Sequence, residues 1–250
     1  NMIDPYHLEA YGVTAVNYNR DIECFPIVRS ILTKITGDEN LYRSPTDMGV
    51  NMAGSAITDD EAVRYAANQE IIRRYYKAAC DYKQGLCDAA VPQRIMLLIN
   101  ESKLSLEDRK VVKPALEKAA ATGESAVAIQ LDDGRFITGR TTSLMTACSA
   151  CVLNSVKALA GIDDKMLLLL PIVLEPIKSL KKDVFKADKD KLNLYDVLTA
   201  LSICAATNPM AQTALEMLPR LRGLEAHGSC MLNDTDMGVM RKMGVNITCE

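Results

Sequence analysis

Between Ser125 and Arg140 the chain changes its hydrophobic period from that of a helix to that of a strand, and no other stretch restricts its fold so tightly. The runs Ser125-Ala126-Val127-Ala128-Ile129-Gln130-Leu131 and Arg135-Phe136-Ile137-Thr138-Gly139-Arg140 flank Asp132-Asp133-Gly134. Two strand-like runs joined by a short Asp-Gly turn, with Gly supplying a positive φ, predict a β-hairpin. A sheet must therefore begin here, and neighbouring segments must cover its faces.

What precedes the hairpin reads as helical. Thr58-Asp59-Asp60-Glu61 has capping-box spacing and predicts a helix to about Tyr82, with Ala62, Tyr65, Ala66, Gln69, Ile72, Tyr76 and Ala79 on one face. A second helix is predicted from Pro92 to Asn100 and a third opening at Ser105-Leu106-Glu107-Asp108, closed by Gly123. After the hairpin the pattern predicts a helix from Ser143 to Ala160, a buried strand from Met166 to Leu170, and helices over Pro171 to Lys182, Leu194 to Ala206 and Met210 to Leu221. Thr207-Asn208-Pro209 reads as one helix end followed by Pro at the next helix start. Strands from Leu224 to Met231 and from Val245 to Cys249, separated by a helix from Asp234 to Met243, complete the series. The expectation is an α/β (α+β) chain: a mainly helical domain over 1–122, then a three-layer α/β domain with a mixed sheet over 123–250.

Charge and composition exclude several classes of function. With 29 Lys plus Arg against 32 Asp plus Glu, the net charge of −3 gives no general attraction to nucleic acid or to anionic membrane. No Trp and only three Phe leave few platforms for base stacking. No apolar run has bilayer-spanning length and no basic, apolar leader opens the chain, so a cytoplasmic location is expected. Eight dispersed Cys in a chain able to build its own core read as free, packed thiols.

The groups that could carry chemistry are few. His7 stands near Asp4, Glu9, Asn17, Asn19, Arg20, Asp21 and Glu23, a density of short polar side chains with no amphipathic period. Helix caps and turns account for such residues, but a loop in which Arg20 pairs an anion and His7 exchanges protons accounts for them too. Ser44-Pro45-Thr46-Asp47-Met48-Gly49, followed by Asn51, combines turn and helix-start residues; Ser44 and Thr46 serve there as caps or leave N–H groups for an anion. The candidates are thus His7, Asp21 and Asp47 for catalysis, and Asn17, Asn19, Arg20, Ser44, Thr46 and Asn51 for ligand binding. Cys148-Ser149-Ala150-Cys151 lacks a second ligand pair and reads as packing, so no metal is expected. His227, between Glu225 and Cys230, reads as a satisfied, half-buried strand residue, and the six Lys between Lys178 and Lys191 as a solvated helix end, their field reduced by Asp183, Asp188 and Asp190.

Several segments are more particular. Asn1-Met2-Ile3-Asp4-Pro5-Tyr6-His7-Leu8-Glu9-Ala10-Tyr11-Gly12, Val16-Asn17-Tyr18-Asn19-Arg20-Asp21-Ile22-Glu23 and Ser44-Pro45-Thr46-Asp47-Met48-Gly49-Val50-Asn51-Met52-Ala53-Gly54 are three of them. With Glu70-Ile71-Ile72-Arg73-Arg74-Tyr75-Tyr76, Ala206-Thr207-Asn208-Pro209 and Gly244-Val245-Asn246-Ile247-Thr248-Cys249, they resemble an uncharacterised, mainly bacterial family, domain of unknown function 1846. The resemblance covers essentially the whole chain and places Asn1 inside the family pattern. It implies a preceding Rossmann-like region with a glycine-rich, phosphate-cradling stretch, and a cytidine-deaminase-like topology for the second half.

A zinc deaminase, however, needs His or Cys with a Glu at the start of the helix after the hairpin, and Pro-Cys-x-x-Cys at the start of a later one. Ser143-Leu144-Met145-Thr146-Ala147 and Pro171-Ile172-Val173-Leu174-Glu175-Pro176 fill those places. The expectation is a site for a nucleotide or other phosphorylated metabolite, completed by the N-terminal region of the same protein, with no cofactor held by this part of it. The rival is a non-enzymatic homo-oligomerisation module in which a helix face such as Ile72, Tyr76 and Ala79 makes the subunit contact.

Overall fold

A computed structural model describes residues 18–39, 60–184 and 191–250. The chain divides into two compact units, Asn1–Arg109 and Lys110–Glu250.

The first unit contains α1 (Tyr18–Thr36), α2 (Asp60–Lys83) and α3 (Ala90–Glu101), followed by a single 3-10 turn at Leu106–Asp108. Its core is small: Ile71, Leu98 and Ile99 are buried, with Val28, Leu32, Tyr75 and Leu104 packed around them. Gln69 is buried in the same helix as Ile71, and its Nε2 donates to the carbonyl of Asp108 at 3.0 Å, tying α2 to the turn. The turn is itself held by a capping box, in which Ser105 accepts from the Glu107 amide while the Asp108 carboxylate accepts from the Ser105 amide. Ser105 thus opens one 3-10 turn, and the helix expected there begins at Val112. Ile72 and Tyr76 are buried within the chain, which removes them as the subunit contact that the helix pattern suggested. Among the described residues, an exposed apolar row of this unit lies on α1, at Ile27, Ile31 and Ile35, one turn apart.

The second unit runs α4 (Val112–Thr122), β1 (Ala126–Gln130), β2 (Phe136–Arg140), α5 (Ala147–Ala160), α6 (Pro171–Ser179), α7 (Leu194–Ala205), α8 (Pro209–Glu216), β3 (Glu225–Gly228), α9 (Asp234–Lys242) and β4 (Asn246–Cys249). The described strands form one mixed sheet in the order β2-β1-β3-β4, antiparallel except for the parallel pair β3 and β4. Val127 and Ile129, on the face of β1 where α5 packs, join Cys148, Cys151, Val152, Val197, Leu201, Ala226 and Ile247 in the main core. Ala126 and Ala128 alternate to the other face, on the side where α4 packs, so β1 is buried throughout. α5 sits tightest on β2 because Gly139 presents no side chain to it.

The run Met166 to Leu170, expected as a buried strand, is no strand. It passes from a turn after Gly161 into α6, with Leu168 and Leu169 buried but Leu167 72% exposed. Its backbone is satisfied by side chains: Leu170 N–H donates to Cys204 Sγ at 3.3 Å, and Asn208 Nδ2 donates to the Leu167 carbonyl at 3.3 Å. β1 therefore pairs directly with β3.

Candidate functional site

In sheets of this kind ligands gather at the carboxyl ends of the strands. At the ends of β2 and β3 the chain leads into α5 and α9, and both helices open on a side-chain cap (Thr146 and Asn233), as does α7 (Asn193). Leu192 links two of them. Its N–H donates to the Leu144 carbonyl, and its own carbonyl accepts from the Thr146 amide at 3.0 Å and from Ser149 Oγ at 3.3 Å. Thr142 closes the preceding turn, its Oγ1 accepting from the amides of Leu144 and Met145.

A carboxylate joins α7 to α9. Asp236 is 1% exposed, and its Oδ1 accepts the Leu194 amide at 2.7 Å while Oδ2 accepts Asn233 Nδ2 at 2.8 Å. The start of α7 and the cap of α9 thus share one acid, whose charge is met by amide donors at helix N-termini. Around Asn193 the same device recurs, with Asn193 N–H donating to Asp196 and the Asp196 N–H to Asn193. Lys181 completes it, its Nζ 2.5 Å from Asp196 Oδ2 and donating to the Lys191 carbonyl at 3.0 Å. Lys181 is thereby largely buried, so the lysine-rich run is not a purely solvated helix end.

The thiols beside this hub are chemically quiet. Burial pushes the Cys148 thiol well up from the usual range, helped by the Asp236 charge and the neighbouring thiols. Burial likewise raises Cys151, to about 12. Burial therefore favours the protonated thiol at both positions and disfavours the thiolate that nucleophilic attack or metal ligation uses. Among the described residues no three His, Cys, Asp or Glu side chains are placed to hold a metal. Thr142, Thr146 and Ser149 stand at the start of α5, and α6 opens after Leu170 without a side-chain cap.

His227 is fully buried rather than half-buried, because its strand is covered on the face it shares with Ala128 and Thr248. Its Nδ1 lies 2.8 Å from Thr248 Oγ1, and that hydroxyl donates onward to the Ala226 carbonyl at 3.3 Å. Glu250 Oε1 lies 3.8 Å from Nε2.

The positions His7, Asn17, Ser44, Thr46, Asp47 and Asn51 lie outside the described residues. Asn19, Arg20 and Asp21 belong to the first turn of α1. The residues that sequence reading passed over are Asn193, Asp196, Asn233 and Asp236. Their signal was available in Asn193-Leu194-Tyr195-Asp196 and Asn233-Asp234-Thr235-Asp236, two Asn-x-x-Asp segments with capping-box spacing.

Two cavities open on the outer side of α5 and share Asn154 and Lys157. One, of about 550 Å³, runs along β2 between Arg135 and Thr138; the other, of about 340 Å³, is lined by Leu153, Met166, Leu167 and Leu174. Two of their polar groups are matched within the chain, Lys157 Nζ donating to the Asp164 carbonyl at 2.8 Å and Asn154 Nδ2 to the Thr138 carbonyl at 2.9 Å, while Arg135 at the rim holds the exposed Asp133 carboxyl below the usual carboxylate range.

The N-terminal model of the domain of unknown function DUF1846 matches residues 1–103, and its C-terminal model matches residues 107–250. A UPF0371 protein of Clostridium botulinum (strain Alaska E43 / Type E3) is 49% identical over 258 residues, which cover 100% of this chain and 51% of that protein. A UPF0371 protein of Clostridioides difficile (strain 630) is 47% identical over 258 residues, covering 52% of its length. The chain spans about half the length of the curated relatives it matches.

Proposed function

The chain belongs to the DUF1846 family, and from that premise we propose that it binds a nucleotide or other phosphorylated metabolite as part of a longer protein. The polar segments Asp4 to Glu23 and Ser44 to Asn51 line the site, and the remaining half of the protein completes it. Arg20 pairs the anion, Asn17, Asn19, Ser44, Thr46 and Asn51 supply hydrogen bonds, and His7, Asp21 and Asp47 are the groups able to move a proton. The observation that carries this reading is the closure of the polar hub in the α/β unit. Asp236 and Asp196 are committed to amides and to Lys181, the nearby thiols are protonated, and no triad of metal ligands occurs among the described residues. Ligand chemistry then falls to the other polar concentration in the chain.

A cytidine-deaminase-like ancestry for the α/β unit is part of the same proposal. It is supported by a hairpin that leads into a helix and by a parallel β3-α9-β4 pair at the far side of the sheet. The strand such a topology requires before α6 has given way to an irregular run held by Cys204 and Asn208. A cytoplasmic setting suits a protein whose Cys148, Cys151 and Cys204 are buried as thiols. No helix among the described residues is long and apolar enough to cross a membrane.

Calorimetric titration of the full-length protein with nucleoside phosphates and with inorganic phosphate tests the site. Arg20→Ala should weaken binding at least about tenfold, the range for losing one charge-assisted contact, and Asp47→Ala should weaken it as well, both with the unfolding temperature held. Unchanged affinity in both variants would sink the reading.

A further inference from the structure

Among the described residues, the end strand β2 leaves one row of backbone groups open. The hydrogen bonds Leu131 N–H to Arg135 carbonyl and Thr141 N–H to Ser125 carbonyl, both 2.8 Å, fix which residues of the hairpin face each other with bonds. With the register Ala128↔Thr138, alternation along an antiparallel pair turns Ile137 and Gly139 inward to β1. Phe136, Thr138 and Arg140 therefore point their N–H and C=O groups away from the sheet. Of these groups the Thr138 carbonyl accepts Asn154 Nδ2 at 2.9 Å, and a carbonyl oxygen retains a second lone pair. β4, the opposite end strand, is buried over Ile247 to Cys249, whereas Phe136 and Arg140 are exposed. Natural proteins protect such an edge or use it for pairing.

We infer that the β2 edge pairs with the β2 edge of a second copy of this chain, antiparallel, across a two-fold axis at Thr138. This goes beyond the ligand site proposed above and does not depend on it. The strand is suited to its own image. Centring the axis on Thr138 sets Thr138 against Thr138 of the second copy and Phe136 against Arg140, each pair exchanging both of its main-chain bonds. Phe136 opposite Arg140 is a cation–π pair, made twice by symmetry, and no like charges meet. Gly139, opposite Ile137 in this register, leaves room on the side where α5 lies. The groove of about 550 Å³ along β2 gives the incoming strand its space, and the adjoining cavity with Met166 and the 72% exposed Leu167 continues the contact in apolar surface. A five-residue edge alone is small for a stable interface, and this apolar continuation brings the contact toward the size that stable dimers need.

Sedimentation and light scattering of the full-length protein at micromolar concentration provide the test. The wild type should be a dimer or a dimer-based assembly. Thr138→Pro removes one outward N–H without touching the ladder to β1, and should halve the assembled mass while leaving the circular dichroism unchanged. Phe136→Arg sets Arg against Arg140 and should shift the dissociation constant upward at least about tenfold. The exchange Phe136→Arg with Arg140→Phe restores the opposed pair and should recover most of that loss. If Thr138→Pro fails to fold, the exchange series alone decides. A wild-type monomer, or a dimer indifferent to both Thr138→Pro and Phe136→Arg, overturns the inference. So does a monomer whose β2 amides are protected from hydrogen exchange, since another part of the same chain would then cover the edge.

Discussion

Gly139 in β2 lies so close to Cys151 in α5 that a Cβ added at Gly139 would overlap the Cys151 backbone nitrogen and stand 2.5 Å from its Cα. The contact is backbone against backbone, so no side-chain rotation relieves it. Gly139→Ala must push α5 off the sheet and should cost at least about 3 kcal/mol, the upper part of the range for overpacked cores. Urea denaturation followed by circular dichroism measures it; a loss below about 1 kcal/mol would show that the helix rides more loosely than this.

Cys151 makes stability fall in alkali. Its folded form holds the proton up to about 12, against an ordinary value of 9.0. Between those limits the unfolded chain releases a proton that the folded chain keeps, so stability is complete below pH 9 and drops as pH rises toward 12. The slope is about 1 kcal/mol per pH unit for one thiol. Cys151→Ala should flatten that alkaline limb relative to wild type, whatever it does to stability at pH 7, when unfolding free energies are compared at pH 8 and pH 10.

Asp236 should be far more sensitive than an exposed acid. Asp236→Ala leaves the buried Leu194 amide and the Asn233 amide group without their acceptor, a loss of about 3 kcal/mol. Asp236→Asn keeps one oxygen for Leu194 and should cost roughly half as much. Equal losses for the two variants would mean that shape, rather than acceptance of those hydrogens, explains the acid.

Elemental analysis of the purified protein should find zinc well below one per chain. Cys148 and Cys151 have burial-raised thiols, and no third ligand stands near among the described residues. Stoichiometric zinc that survives dialysis would contradict this.

Local chemistry was the legible part of the sequence. The hairpin could be read because its turn and both its strands lie within sixteen residues, and it appears as Ala126–Gln130 and Phe136–Arg140. Asn208 and Pro209 likewise announce α8. Met166 to Leu170 misled because an apolar run fits a buried strand as well as an irregular segment whose amide meets a sulfur 34 residues away. His227 was placed in its strand, but its full burial follows from the pairing of β1 with β3, a contact across about a hundred residues. The hub was missed for a related reason. Each Asn-x-x-Asp pair looks like a private helix cap, and only the fold shows that Asp236, which holds the Asn233 cap of its own helix, also serves Leu194. As for the ligand site, of its proposed residues Asn19, Arg20 and Asp21 fall in α1, and His7, Asn17, Ser44, Thr46, Asp47 and Asn51 lie outside the described residues.

The bond from Leu194 to Asp236 joins positions 42 residues apart, and this sets an order of events during synthesis. When α7 leaves the ribosome its first amide has no acceptor, and it must wait until α8, β3 and the start of α9 have followed. The opening turn of α7 can therefore mature only once Asp236 has been made and has emerged, and a ribosome stalled before Asp236 should hold a nascent domain that a protease cuts near Leu194.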